Sequence, residues 1–277
     1  MKCEKPAHIR ITPMMQAATS IKRAALVPCG QCLNCRINQA RVWTNRILLE
    51  QNMHGNNCFV TLTYDDEHLP DPAWVSVSQL QKYIKRLRYY MEPIKFRYYG
   101  VGEYGKLWRP HYHMILFGVD GSLSERPIRA AWKDDNGKSR CNKERLTIDE
   151  LSPATARYIK GYITKKIDKI TDNHPVSYGK ADEFRISSTK NGGIGIKAAE
   201  HIKKIVSGKP YDVPRVRELR IGRKKYPIGR YLDCKINGNK SWQQRLVDFK
   251  AMQEALTENL RTRQIKQGKA GTERRKL

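Results

Sequence analysis

The sequence predicts an α+β fold: a central antiparallel β-sheet with helices packed on it. Two observations predict it. Residues 58–64, 96–101 and 114–117 are short apolar runs rich in aromatic and β-branched side chains, the composition of buried strands. Residues 78–91 lie between the first two runs and repeat Leu80, Tyr83, Ile84, Leu87 and Met91 at helical spacing. The order strand, helix, strand, strand suits a sheet carrying its helices on one face.

Taken from the start, residues 1–28 show little periodicity and read as an irregular arm. Cys29, Cys32 and Cys35 follow at C-x2-C-x2-C spacing. A tight turn aims thiolates so spaced at one ion, so structural Zn2+ is the candidate ligand. A closed site needs a fourth donor, and Cys3, His8 and Cys58 are the candidates; the sequence does not choose among them. Residues 36–51 read as a helix with Ile37, Ala40, Trp43, Ile47 and Leu48 on one side. Arg36, Arg41 and Arg46 fall elsewhere, open to phosphate or water. After strand 58–64, residues 65–72 read as a solvated loop holding Asp65, Asp66, Glu67 and His68. Ser78 and Gln81 fit a capping box for the next helix.

The strand at 96–101 ends in Gly102-Glu103-Tyr104-Gly105, and His111-Tyr112-His113 precedes the apolar run 114–117. A strand sends residues i and i+2 to one face, so both imidazoles can meet one metal. Glu103 supplies a carboxylate beside them. Two histidines and a carboxylate with open positions suit a catalytic divalent ion, Mg2+ or Mn2+, rather than a closed structural site.

Residues 119–150 are polar and charged around a single large anchor, Trp132, and read as an exposed insertion. Ser152 and Pro153 then open a helix through residue 166, with Ser at the N-cap and Pro at the first position. Tyr158 and Tyr162 stand four residues apart on one face of it, with Lys165 on the same face. Residues 183–187 read as a strand and 190–195 as a plain turn, since its glycines match no phosphate-loop spacing. Residues 203–225 are basic with short apolar runs, 242–260 form a moderately amphipathic helix, and the basic tail beyond reads as disordered.

Lys and Arg number 53 against 27 acids in 277 residues, a formal net charge of +26. That excess points to a polyanionic partner, nucleic acid first. No stretch is long and apolar enough for a membrane span, and the first residues lack the apolar core of a secretory signal. Seven scattered cysteines suggest no disulfide framework and a reducing cytoplasm.

One reaction uses the His pair, the carboxylate, the tyrosines and the charge together: cleavage of single-stranded DNA by a tyrosine nucleophile. Metal polarises the phosphate, a phenol attacks phosphorus, and Lys165 favours the phenolate. The products are a 5′-phosphotyrosine and a free 3′-hydroxyl. Taken alone, the tyrosine pair reads more readily as half-buried aromatics packing a helix on the sheet; the His-x-His pair in the same chain favours chemistry. Two rival readings are a non-enzymatic, zinc-containing nucleic-acid-binding protein and a metal hydrolase using activated water.

The segments CFVTLTY, RPHYHMILFG and RYIKGYITKK resemble the three motifs of the HUH endonucleases. More narrowly, the chain resembles the replication initiation proteins of small single-stranded DNA phages, microviruses of the gokushovirus type. The blocks PCGQCLNCRINQARVWTNR, FVTLTYDDEHLP, GEYG and FRISSTKNGGIG carry the resemblance further, over about residues 28 to 196. It implies an RRM-like, ferredoxin-like core at 57–200, with the arm, cysteines and helix before it at 1–56 and a basic extension after it at 201–277. It implies a rolling-circle initiator that nicks phage replicative-form DNA in the host bacterial cytoplasm, beside a host helicase and polymerase. His111 and His113 would be metal ligands with Glu103 the third, Tyr158 and Tyr162 the nucleophiles, and Lys165 a supporting cation. Related two-tyrosine enzymes often carry lysine just before the second tyrosine, where this chain has Gly161; Lys160 and Lys165 are the substitutes at hand.

Overall fold

The computed structural model describes residues 2–10, 24–105, 107–142, 145–151, 181–207, 216–238 and 258. The chain divides into two compact units: Met1–Gln39 with Asn237–Leu277, and Ala40–Ile236. The helix expected at 152–166 lies outside the described residues, as do the helix at 242–260, except Glu258, and the tail.

In the first unit, strands β1 (Ala7–Arg10) and β2 (Ala24–Val27) pair antiparallel, with Ala7 opposite Val27. The expectation of an irregular arm is thereby corrected. Each strand is only four residues long, too short to show a readable alternation, and its partner is remote in sequence. Helix α1 (Leu33–Gln51) follows, starting three residues earlier than its apolar pattern indicated.

The second unit is built on a five-stranded antiparallel sheet, order β6-β3-β5-β4-β7. Its strands are β3 (Asn57–Leu62), β4 (Arg97–Tyr104), β5 (Pro110–Phe117), β6 (Thr147–Glu150) and β7 (Phe184–Ser187). Helix α2 (Val77–Tyr90) lies between β3 and β4, and α3 (Glu125–Ala131) between β5 and β6. One sheet face buries Val60, Leu62, Tyr112, Met114 and Leu116 against Leu80, Tyr83, Ile84 and Leu87 of α2. The other buries Phe59, Tyr99, Ile115 and Phe117 with Ile47 and Trp43 of α1. Helices therefore cover both faces, not one. The reason is visible in β5, whose last six residues are buried on both sides.

The N-cap of α2 is Ser76, whose hydroxyl accepts from the Gln79 amide at 3.4 Å, and not Ser78. The cap is held from the sheet: Tyr112 Oη accepts from the Ser76 amide at 3.0 Å. The residue between the two histidines thus fixes the entry of α2.

Residues 119–150 are not an exposed insertion. Trp132 is fully buried, and its ring meets those of Tyr64, Tyr83 and Tyr112 at centroid distances of 5.2, 5.8 and 5.6 Å. Its indole donates to the Thr63 carbonyl at 2.6 Å. The segment ends as β6, the sheet edge beside β3. Its polar composition belongs to the turns, while Ile128, Ala131, Cys141 and Leu146 go inside. Trp132→Ala is expected to cost about 3–5 kcal/mol, read as a lower urea midpoint.

Past β7, helix α4 (Ile196–Ser207), the hairpin β8 (Glu218–Ile221) with β9 (Lys224–Pro227), and helix α5 (Gly229–Ile236) form a smaller core. Glu50 ties α1 to this part of the chain. Fully buried, it meets Arg97 at 2.7 Å and accepts from the Gly195 amide at 2.6 Å. Gly193 donates its amide to Tyr231 Oη at 2.7 Å. Two of the amides in the 190–195 turn are thus engaged within the protein, in keeping with a plain turn. Arg46 is also engaged: it is buried, donates to the Ile194 carbonyl at 3.0 Å, and lies over Trp43 and Tyr231 at 4.1 and 4.3 Å. Arg41 donates to the Lys225 carbonyl at 2.9 Å. Neither stands open to phosphate as the helical pattern suggested.

Candidate metal centre

The strand preceding the histidines runs further than its sequence indicated. Glycine and a charged residue read as a turn at 102–105, yet β4 continues to Tyr104. Gly102 is required there: a Cβ would stand 2.6 Å from the Phe184 ring of β7. Because pairing persists, Glu103 lies directly opposite His111, and Val101 opposite His113. On β5's other side, Thr61 lies opposite His113. Register alone therefore brings Glu103, His111, His113 and Thr61 to one face.

The donor atoms converge. Glu103 Oε1 is 2.9 Å from His111 Nε2 and 3.3 Å from His113 Nε2. The three residues offer ligand atoms all within 4.8 Å of one another. His111 keeps a solvent-facing edge, with its side chain 18% exposed, while Glu103 and His113 are each 7% exposed.

The far side of each ring is also engaged. His111 Nδ1 is 3.1 Å from the Arg109 carbonyl, which can only accept, so Nδ1 carries the proton. His113 Nδ1 is 3.0 Å from Thr61 Oγ1, and its ring stacks on Phe59 at 5.5 Å. The neutral His111 ring consequently turns the Nε2 lone pair toward a carboxylate. Two acceptors facing each other at such distance require a cation between them, a proton or a metal. Six-coordinate ions with ligands at about 2.1 Å have adjacent ligands about 3 Å apart, the separation seen here. The set fits a hard or borderline divalent ion. Burial alone would raise the Glu103 carboxyl, but hydrogen bonds from both imidazoles and their charge outweigh it and hold the group down at about 2. It is a carboxylate at neutral pH.

Thr61 escaped the sequence reading. Its signal was present: it shares a strand face with Phe59, two residues before it, opposite the histidines. Thr61→Val keeps the shape and removes the hydroxyl. It is expected to weaken divalent-metal binding roughly 10–100-fold, measured by isothermal titration calorimetry; unchanged affinity would show that Thr61 does not orient His113.

The loop acids stay apart from this group. Asp65 pairs with His68 at 2.6 Å, and Asp66 with Arg109 at 2.6 Å, as expected of a solvated turn. Cys58 is buried in the sheet core, where burial pushes its thiol up to about 12. A second donor cluster does form, from Cys3, Cys29, Cys32 and Cys35. Tyr158, Tyr162 and Lys165 lie outside the described residues.

Across the sheet from His113, Val101 of β4 pairs in turn with Arg185 of β7. The row His113, Val101, Arg185 shares one face. Arg185 is exposed, with its guanidinium 5.0 Å from the Trp43 ring. A cation and an aromatic edge thus border the donor group, a pairing suited to phosphate and base.

Residues 57–167 match a family described as replication-associated protein of the ORF2 type. Over 155 residues the chain is 36% identical to Replication-associated protein ORF2 of Spiroplasma virus 4, covering 51% of this chain and 48% of that one. It is 28% identical over 174 residues to Replication-associated protein VP4 of Bdellovibrio phage phiMH2K, covering 54% and 52%. It is 29% identical over 153 residues to Replication-associated protein ORF4 of Chlamydia phage 1, covering 50% and 38%. The matches span about half the length of these curated relatives or less. No solved structure matches the chain. Among the described residues, no helix is long and apolar enough to cross a membrane.

Proposed function

We propose that this chain, which resembles the replication-associated proteins of gokushovirus-type phages, starts rolling-circle replication as an HUH-type nickase and strand transferase. The observation that carries the reading is the convergence of Glu103, His111 and His113 on one sheet face. A replication role alone calls for DNA binding; three donors arranged for a divalent ion call for chemistry on phosphate.

Mg2+ or Mn2+ bound there would polarise a non-bridging oxygen of the scissile phosphate and offset charge that builds in the transition state. Glu103, His111 and His113 hold the position, and Thr61 and the Arg109 carbonyl keep both rings turned toward it. Arg185 draws the strand onto the face. Tyr158 or Tyr162 attacks phosphorus, its proton leaves to solvent or a base, and the departing 3′-oxygen becomes a free hydroxyl able to prime synthesis. The second tyrosine, with Lys165 nearby on the helix, resolves the phosphotyrosine when a new origin copy arrives. Phage replicative-form DNA and its single strand are the substrates, the host bacterial cytoplasm is the setting, and host helicase and polymerase are the partners.

The test is incubation with an end-labelled single-stranded origin oligonucleotide and Mn2+ or Mg2+, followed by a denaturing gel. A protein–DNA adduct that survives denaturation is expected. Cleavage without an adduct would mean a water-using hydrolase, and neither product would mean a binder. Binding itself rests on the +26 charge, so affinity is expected to fall roughly 10³-fold between about 50 and 200 mM salt if some six phosphates are contacted. Fluorescence anisotropy would measure it, and a flat response would exclude a backbone-tracking surface.

A further inference from the structure

We infer that Cys3, Cys29, Cys32 and Cys35 form a closed four-thiolate zinc site that clasps the start of the β1–β2 pair to the first turn of α1. This site is separate from the Glu103 group and stands whether or not the nickase reading holds.

The sulfur positions carry the inference. Cys3 Sγ is 3.6 Å from Cys29 Sγ and 3.8 Å from Cys32 Sγ, and Cys29 Sγ is 4.0 Å from Cys35 Sγ. All four sulfurs lie within 4.8 Å of one another. A tetrahedral ion with bonds to sulfur of about 2.3 Å sets its ligands about 3.8 Å apart. Disulfide sulfurs would be bonded at about 2.05 Å, and all four of these cysteines are free. Four thiols packed without bonding, at the edge length of a tetrahedron, match a metal rather than a redox pair.

The surrounding backbone is shaped for thiolates. Cys29 donates its amide to Cys3 Sγ at 3.4 Å, while Gln31 and Cys32 donate theirs to Cys29 Sγ at 3.4 and 3.3 Å. Such bonds to sulfur stabilise negative charge on it. The turn that aims two of them depends on Gly30, whose φ of +74° lies in the left-handed region. Cys35 sits in the first turn of α1, where the helix dipole also favours an anion. Cys3 and Cys35 are buried. Four soft donors in tetrahedral arrangement, with no position left for water or substrate, are the donor set of structural zinc.

Cys3 also resolves the choice left open by the sequence. It precedes β1 by four residues, and Cys29 follows β2 by two. Pairing of β1 with β2 brings them together, so the long-range ligand is set by the hairpin and the other three by local spacing. Metal binding and folding of this segment are therefore coupled.

Full-length protein, purified without added metal, is expected to hold one zinc per chain by elemental analysis. The His111→Ala/His113→Ala double variant should keep it, and Cys234→Ser should keep it as a thiol control. Cys3→Ser should lose it. Since that variant could also misfold, wild-type protein refolded with Co2+ gives an independent reading. Intense thiolate-to-cobalt charge transfer and the visible bands of tetrahedral cobalt are expected, at one equivalent. Iron in place of zinc would overturn the assignment. So would rapid reaction of all seven cysteines with a thiol reagent in metal-free native protein. Undiminished zinc with an unchanged cobalt spectrum in Cys3→Ser would overturn Cys3 as the fourth ligand.

Discussion

His113→Ala is expected to abolish adduct formation on a single-stranded origin oligonucleotide while single-strand binding stays within a few fold of wild type. His113 is the most enclosed of the nitrogen donors: its side chain is 7% exposed, it lies opposite Thr61 and stacks on Phe59. Alanine removes an imidazole that faces the carboxylate and leaves Glu103 with one partner. Loss of one preorganised group that stabilises transition-state charge costs about 10²–10³ in rate, and loss of a metal ligand can lower occupancy further. Binding draws on charge spread over the chain, so it does not follow activity down. Single-turnover cleavage at saturating Mn2+, with anisotropy on the same oligonucleotide, separates the two. Wild-type cleavage by His113→Ala would remove the metal centre from the reaction. If binding fell in step with cleavage, His113 would be holding the fold, and a thermal melt would show it.

Changing Tyr158 and Tyr162 together to Phe is expected to eliminate the covalent adduct with little change in stability. Phenylalanine keeps the ring and its packing while removing the only oxygen able to form the ester. A free phenol has a pKa near 10, so roughly one in a thousand is ionised at neutral pH. That scarcity is why a cation such as Lys165 belongs in the reading. Each single Phe variant should still form some adduct, because the remaining tyrosine can make the first cut. A single variant as inactive as the double would show one residue acting alone. Adduct persisting in the double variant would move the nucleophile elsewhere and end the tyrosine assignment.

The parts of the site that were legible in the sequence are those set by local geometry. His111 and His113 are two residues apart, and any strand puts them on one face. Cys29, Cys32 and Cys35 need only a tight turn. The core strands and α2 announce themselves through period and composition. What escaped depends on partners remote in the chain. Glu103 could be proposed, but its segment reads as a turn; only pairing of β4 with β5 and β7 holds Gly102 and Glu103 extended. Thr61 resembles any strand threonine until register sets it beside His113. Trp132 reads as an anchor in a polar insertion, yet it fills the core between α2 and β3 through three tyrosine rings.

By itself, then, the sequence determined which chemistry the chain carries: the imidazole pair, the thiol triplet, the basic charge and the α+β pattern. Tertiary structure alone decided which acid joins the imidazoles and which thiol completes the cluster. Local sequence encodes the period of a strand, whereas the residue standing opposite is chosen by pairing across tens of residues, where burial and packing select one register among several.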